Sequence, residues 1–390
     1  MARVSVVRVK NDNVEAAVRE AIEMAGDFDI GSGEKILIKP NLCCDKPSGS
    51  GVVTNMSVVA AVVKVVREMG AKPLVGDIPI VGFDPQHVYD ALGVKEIVEK
   101  AGGEFIDLSK EERIVIQIPN ARKLRRVKIV KTTFEVDGII SVPVLKTHFF
   151  TGVTLSIKNL KGLTDQDQRT RIHVLGLNTP IVDLLQVLRN QIRYVIIDGT
   201  YVARQIKPSG PYYGPTEPKD ITKLDLIIAG RDPVAVDAVG AQIMGFNPKD
   251  IAMLREAAER GLGEIENIEI VGEMPGAVGK FETTLLGKIM RFLNKFWTSR
   301  IFNPLVHPLA KKLFGPEIVA YRQVMKEMET GKKGEVVLTG ECDGCGICVR
   351  SCKVGNIKLV NNKPVIGDKC IKCFICVEAC PKGALSIVGL

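Results

Sequence analysis

The chain has 390 residues, enough for two or three domains with ample core. Its apolar fraction of 46% is ordinary for a soluble globular protein, and no run reaches the ~18 consecutive apolar residues of a membrane span. The net charge of +8 is spread along the chain without a stacking-aromatic motif, which argues against nucleic acid; Arg3, Arg8 and Lys10 stand where a signal peptide needs an apolar core, so a cytoplasmic protein is expected.

Apolar residues at helical spacing (Val14, Ala17, Val18, Ile22) predict a first helix over 13–25. Residues 35–39 read as a buried strand ending in Pro40-Asn41, and 56–69 as a helix stopped by Gly70. A short strand over 73–76 ends at Asp77. Helical turns over 86–101 break near Gly93, and Phe105-Ile106 forms a brief strand. Two alternating runs flank Pro119-Asn120 and predict a hairpin inserted over about 113–130. A strand over 138–145 ends in Lys146-Thr147-His148. Thr179 is expected to cap a helix that Pro180 opens. Strands over 194–197 and 224–229 follow, ending at Asp198-Gly199 and at Gly230-Arg231-Asp232. Pro233 and Pro248 each open a helix, and 268–271 closes the pattern.

Strands alternating with helices argue for an α/β domain, a mostly parallel mixed sheet with helices on both faces, mixed because of the inserted hairpin. Ligands of such sheets bind beyond the carboxyl ends of the strands. Polar residues stand at those ends: Lys39 and Asn41, Asp77, Lys146 and His148, Asp198, and the Arg231-Asp232 turn. Asp232 also suits a helix cap before Pro233. The densest stretch, 146–162, adds Lys158, Asn159 and Lys161, with His173 after it. A single lysine there would be an ordinary solvated side chain; several together suit a carboxylate or phosphate. A histidine beside them suits proton transfer near neutral pH. Lys146, His148, His173 and Asp198 are therefore the candidate catalytic residues. Lys39, Asn41, Asp77, Lys158, Asn159, Lys161 and Asp232 are the candidate substrate- or cofactor-binding residues.

Five stretches carry a resemblance. Ile38-Lys39-Pro40-Asn41, Val144-Leu145-Lys146-Thr147-His148, Ile157-Lys158-Asn159-Leu160-Lys161-Gly162, Ile197-Asp198-Gly199 and Arg231-Asp232-Pro233-Val234-Ala235-Val236-Asp237 resemble the signature blocks of the domain of unknown function 362 family, spread over 35–263. The resemblance implies this α/β architecture and a frequent fusion to a two-cluster ferredoxin segment; it implies no particular reaction. No G-x-G-x-x-G follows a strand, so a dinucleotide fingerprint is absent. Gly276-Ala-Val-Gly279-Lys280 fails as a P-loop because Phe281 replaces the Ser/Thr. Cys43 and Cys44 are adjacent, chelate one metal poorly, and are expected to pack in the core.

The tail carries the most specific pattern. Cys342, Cys345, Cys348 and Cys352 form a C-x2-C-x2-C-x3-C run, repeated by Cys370, Cys373, Cys376 and Cys380 at an offset of 28 positions. Three thiolates at that spacing bind one cube and the fourth ligates the other. One [4Fe-4S] cluster is thus assigned to Cys342, Cys345, Cys348 and Cys380, and a second to Cys370, Cys373, Cys376 and Cys352. Structural zinc has no use for the third cysteine of each run, and disulfides do not suit an unsecreted chain. Residues 341–388 resemble the bacterial two-[4Fe-4S] ferredoxins, except that Lys353 stands where the first run would carry the proline that Pro381 supplies in the second. The apolar alternations at Ile357/Leu359 and Leu385/Ile387 predict short strands.

Three parts follow: an α/β domain over 1–280, a helical basic and aromatic connecting segment over 281–335, and a small α+β ferredoxin-like domain over 336–390. Within 283–316, lysines and arginines stand beside Phe292, Phe296 and Trp297, and no acidic residue occurs. That composition suits packing on the domains, or contact with a membrane surface or partner. The expected function is a ferredoxin-linked redox enzyme, served by a redox partner protein in an anaerobic cytoplasm. It would pass single electrons to an anionic small molecule in the α/β cleft. The alternative is a non-catalytic electron carrier or metal-cofactor assembly factor. One cube is expected to dock near the Lys146–His148 loop.

Overall fold

The computed structural model of the chain describes residues 1–80, 83–148, 151–203, 221–275, 335–352, 354–370, 376–377, 380, 382 and 384–388. Residues 281–334 of the connecting segment, Lys353, Cys373 and Pro381 lie outside them. Among the described residues no helix is long and apolar enough to cross a membrane.

The α/β domain begins with β1 (Ala2–Arg8), α1 (Val14–Ala25), β2 (Lys35–Pro40), α2 (Met56–Glu68), β3 (Lys72–Val75), α3 (Pro85–Leu92), α4 (Val94–Ala101) and β4 (Glu104–Phe105). The hairpin β5 (Arg113–Gln117) and β6 (Arg126–Val130) follows, then α5 (Thr132–Glu135), β7 (Gly138–Val142), β8 (Lys146–His148) and β9 (Gly152–Thr154). Next come α6 (Ser156–Asn159), α7 (Gln166–Val174), α8 (Asn178–Leu188), β10 (Ile192–Ala203), β11 (Ile221–Gly230), α9 (Pro233–Ile243), α10 (Ala252–Glu259) and β12 (Ile268–Gly272).

Eight strands form one sheet in the order β12-β1-β11-β10-β7-β2-β3-β4. Every neighbouring pair is parallel except the two that β11 makes, with β1 and with β10. The sheet is mostly parallel and mixed, as expected, but for a different reason. The hairpin β5–β6 stands as its own two-stranded sheet, and the antiparallel strand is β11. Side chains alternate across the sheet. Leu37, Ile139, Val195, Ile197 and Ile228 enter a core with α8, α9 and α10, while Ile36, Ile38, Ile140, Ile196 and Ile227 enter another with α1, α2 and α4. Strands buried on both faces explain the continuous apolar runs of β2, β7 and β10.

Two further expectations change. Residues 2–8 form a strand that the sequence reading did not assign. Thr179 is not a cap: α8 starts at Asn178 after Leu177, and the Thr179 hydroxyl donates to Glu256 Oε2 at 2.8 Å.

The direction of β11 matters for the site. The carboxyl ends of β2, β3 and β7 share one edge, where Lys39, Asn41, Asp77 and Lys146 gather; Asp198 joins them from inside β10, which runs on to Ala203, by pairing with the backbone of Pro143 and Leu145. Asp232 leaves β11 in the opposite direction. Its carboxylate accepts the backbone N–H groups of Val234, Ala235 and Glu264. The residue acts as the cap of α9 and not as a fifth member of the cleft, because its oxygens are consumed by the backbone.

In the tail, β13 (Glu335–Leu338) pairs antiparallel with β16 (Leu385–Val388), and β14 (Ile357–Val360) with β15 (Lys363–Ile366). The two predicted strands fall in β14 and β16.

Candidate functional site

The neighbouring ends of β2 and β3 bring Lys39 and Asp77 together. Lys39 Nζ lies 2.7 Å from Asp77 Oδ1, and the two side chains are 0% and 3% exposed. The ammonium also donates to Asn159 Oδ1 at 3.0 Å and to the Pro40 carbonyl at 3.1 Å. Asp77 Oδ2 accepts the Leu42 N–H at 2.7 Å, and Asn159 Nδ2 donates back to the Lys39 carbonyl at 3.1 Å. A charge so deeply buried needs every one of these partners. Burial pulls the Lys39 pKa down, and Asp77 opposes it. Gly162 lies directly over this pair; a side chain there would collide with Lys39 and Asp77.

Lys146, on β8, reaches across to the loop between β2 and α2. It donates to the Val52 carbonyl at 2.7 Å, as Asn41 Nδ2 does at 2.8 Å, and its Nζ stands 3.7 Å from Cys43 Sγ. Lys161 meets the ring of His173, with Nζ 3.4 Å from Nε2. His173 Nδ1 lies 2.7 Å from the Arg169 carbonyl, which places the ring proton on Nδ1; Lys161 Nζ is as close to Nδ1, at 3.3 Å, as to Nε2 and so faces the ring between its nitrogens. His148 Nδ1 accepts the Thr151 N–H at 3.2 Å. Lys158 sits between these groups, half-buried. Among the described residues its ammonium has no hydrogen-bond partner.

The electrostatics follow from burying like charges together. Burial, and then Lys146, bring the Lys158 pKa down to about 7. Burial, with Lys158 and Arg169, takes Lys161 well below its usual value. Burial and the surrounding lysines push His148 and His173 well below the ordinary imidazole range. Both shifts favour the neutral ring at pH 7. An anion placed among these cations opposes each shift.

Asp198 lies at the same edge but has no free oxygen. Oδ2 accepts the Asn55 N–H at 2.7 Å, while Oδ1 accepts the Thr200 N–H at 2.9 Å and its hydroxyl at 2.6 Å. It anchors the start of α2.

Three supporting residues escaped the sequence reading. Arg169, 5% exposed, donates to the carbonyls of Ile78, Pro79, Lys161, Gly162 and Thr164, tying the loop after β3 to the Lys161 turn. Asp237 accepts the N–H groups of Ser156 and Ile157 and the Ser156 hydroxyl, holding the start of α6; burial raises its pKa to about 7 against these donors. Cys43 joins Lys146 in the cleft. Asp237 stands in one of the signature blocks, but nothing local reveals its partner 80 residues upstream.

In the tail, Cys342, Cys345, Cys348 and Cys380 line one cavity together with Gly346, Leu359 and Leu385. This is the crossed grouping read from the spacing. The internal repeat is also visible in the backbone: Asn356 N–H donates to Cys352 Sγ at 3.2 Å, and Ala384 N–H to Cys380 Sγ at 3.3 Å. Backbone donors to sulfur are what a charged cluster needs around its thiolates. Among the described residues no three His, Cys, Asp or Glu side chains converge on a single ion; thiolates that bind different irons of a cube stand further apart. A hydrogen bond joins the tail to the α/β domain. Arg126, on β6, donates to the Val377 carbonyl at 3.0 Å, beside Cys376. Arg126 also bears electrostatically on Arg171, which shares α7 with His173. This contact places the tail against the hairpin.

Comparison with known proteins agrees with both parts. A 4Fe-4S dicluster domain model matches residues 341–385. A thylakoid-associated protein of Synechocystis sp. is 26% identical over 270 residues, 64% of this chain and 74% of that one. The lactate racemase apoprotein of Thermoanaerobacterium thermosaccharolyticum is 14% identical with a TM-score of 0.39; the match covers 63% of this chain and 57% of that structure, so the chain spans less than two thirds of its length. The dicluster match makes this an iron–sulfur protein with an electron-transfer role. The family model for a domain of unknown function, DUF362, matches residues 36–242, more than half of the chain, and the protein belongs to that family.

Proposed function

We propose that this protein is a ferredoxin-linked oxidoreductase whose α/β cleft binds an anionic substrate or cofactor. One observation carries the reading: Lys146, Lys158 and Lys161 stand together with His148 and His173, while the carboxylate beside them, Asp77, is spent on Lys39 and the Leu42 N–H. A cluster of buried cations that outnumbers its one anionic neighbour, Cys43, suits a negative ligand.

The two runs of tail cysteines would hold two [4Fe-4S] clusters, which supply one-electron chemistry. The chain's own residues do the rest. Lys158 offers its ammonium to the ligand, with Lys146 and Lys161 flanking it. Asp77, Asn159 and Arg169 fix the loops that carry these lysines. A bound negative charge raises both histidine pKa values, so either ring then takes up a proton beside the ligand. An anaerobic cytoplasm suits exposed clusters of this kind.

The test is isothermal titration with inorganic phosphate and oxalate. Binding at pH 6.5 is expected to weaken at least tenfold in Lys158→Ala, since one charge-assisted contact is lost. Wild-type affinity should fall as pH rises above about 7, the Lys158 pKa, by at most tenfold per unit for that group. The sign follows because binding needs the ammonium, which the free protein then lacks. Indifference of both anions to Lys158→Ala and Lys161→Ala would remove the anion pocket and favour the carrier or assembly-factor reading.

A further inference from the structure

Successive side chains of an extended chain point to opposite faces, so adjacent cysteines normally hold their sulfurs apart. Cys43 and Cys44 do not follow this. The chain bends at Cys44-Asp45, and Cys43 Sγ and Cys44 Sγ lie 3.8 Å apart. The Cys43 carbonyl is pinned by the Ile80 N–H at 3.0 Å. Both residues are buried in the core on one face of the sheet, yet Cys43 Sγ also faces the Lys146 ammonium at 3.7 Å and the Val52 carbonyl at 3.7 Å. Core packing alone does not call for two sulfurs turned toward each other beside an ammonium group.

We infer that Cys43 and Cys44 form a two-electron redox pair, a neighbouring dithiol that closes to a disulfide and is reopened by electrons from the chain's own iron–sulfur clusters. The inference rests on the electron-transfer role of the tail and is independent of the anion pocket. The step balances as follows. The Cys43–Cys44 sulfur–sulfur bond takes up two electrons and one proton and breaks. Cys43 leaves as a thiolate facing Lys146, and Cys44 as a thiol. Two one-electron donors are each oxidised by one electron, and two clusters of the kind the tail would hold match that number.

The local chemistry favours this division. The hydrogen bond between the two sulfurs, then the charges of Lys146 and Lys158, bring Cys43 down to about 6 against its burial, while the same bond pushes the Cys44 thiol up. Cys43 is thus the better leaving group and the better attacking thiolate. Lys158, with its pKa near 7, is an acid within electrostatic reach of the pair.

The experiment is an anaerobic reductive titration of the full chain with reconstituted clusters, previously oxidised with one equivalent of a disulfide-forming oxidant, using reduced methyl viologen. Acid-quenched alkylation and mass spectrometry of the peptide containing residues 43 and 44 accompany it, and iron is measured in every sample. The wild type should take up two more electrons than Cys43→Ser or Cys44→Ser at the same iron content. Its peptide should pass from unlabelled to doubly labelled. A pair that is doubly labelled before reduction, or that stays closed once the viologen has reduced the clusters, overturns the inference. So does an equal electron count in all three proteins. Should a serine variant lose iron, the wild-type labelling alone still decides. Failed cluster assembly shows as missing iron, and a failed anion pocket leaves both readouts in place.

Discussion

Replacing Asp77 by alanine should cost the α/β domain about 3–5 kcal/mol, the range found when one member of a buried ion pair is removed. In a domain of this size that lowers the melting temperature by roughly 10 °C. The reason is geometric. Lys39 is 0% exposed, and Asn159 Oδ1 and the Pro40 carbonyl are neutral acceptors that cannot replace the lost charge. Lys39 can escape by shedding its proton, which at pH 7 costs up to about 4–5 kcal/mol from an ordinary lysine pKa. That ceiling matches the expected loss, and it gives the variant a pH signature. With Asp77 gone, the one strong influence raising the Lys39 pKa disappears, so burial depresses it further. Between that depressed value and the unfolded one, the unfolded chain binds more protons than the folded chain. Stability therefore rises with pH. Asp77→Ala should recover part of its deficit on going from pH 7 to pH 9.5, as read from urea unfolding curves beside the wild type. A deficit under 1 kcal/mol, or one that does not shrink with pH, would show that water reaches Lys39. The double variant Lys39→Met, Asp77→Leu should recover some of the loss but not all, since the Leu42 N–H and Asn159 still lose their partners.

The position of this pair was legible in the sequence, because polar residues at the ends of apolar runs mark strand carboxyl ends whatever the neighbours are. Lys39, Asp77, Lys146, Lys158, Asn159 and Lys161 all came from that rule or from the dense loop after β8. The rule failed at Asp232 because it assumes that every strand runs the same way. The apolar pattern of β11 is as good as that of β10, and nothing in 224–229 records that the chain enters the sheet from the other end. Strand direction is set by the connections and by which edge is free, and those are long-range properties. β1 was missed for a related reason: Arg3, Ser5 and Arg8 break its apolar run, although Ser5 is satisfied inside the fold by the Ala21 carbonyl at 2.6 Å. The pairing of Cys43 with Lys146 was invisible because it spans 103 positions. Adjacent cysteines were read as core residues, which their burial bears out, but the bend that turns one sulfur to the cleft is set by contacts made elsewhere. Asp198 shows the opposite failure. It was read as the end of a strand, but β10 continues to Ala203, and three donors from Asn55 and Thr200 meet its carboxylate within the sheet.

The tail depended least on such long-range information, since cluster ligation is written in short spacings, and its variants should show the crossed pattern in iron content. Reconstituted wild-type protein is expected to hold about eight irons, two cubes of four. Cys348 and Cys380 lie in different runs, 32 positions apart, but line the same cavity. Cys348→Ala and Cys380→Ala should each cost one cluster's worth of iron, about four, and the double variant should cost no more than either alone. Cys376 belongs to the other set, so Cys376→Ala with Cys380→Ala should empty both sites. If each run instead wrapped its own cube, the outcomes would exchange: Cys348 with Cys380 would empty both, and Cys376 with Cys380 only one. Iron and sulfide assays on the four proteins, with electron paramagnetic resonance of the reduced samples, separate the two arrangements. The crossed one is favoured because the N–H donors to Cys352 and Cys380, from Asn356 and Ala384, hold the fourth sulfur of each run in equivalent settings. Cys380, held that way, lines the cavity of Cys342, Cys345 and Cys348, and the repeat assigns Cys352 the matching place toward the second run.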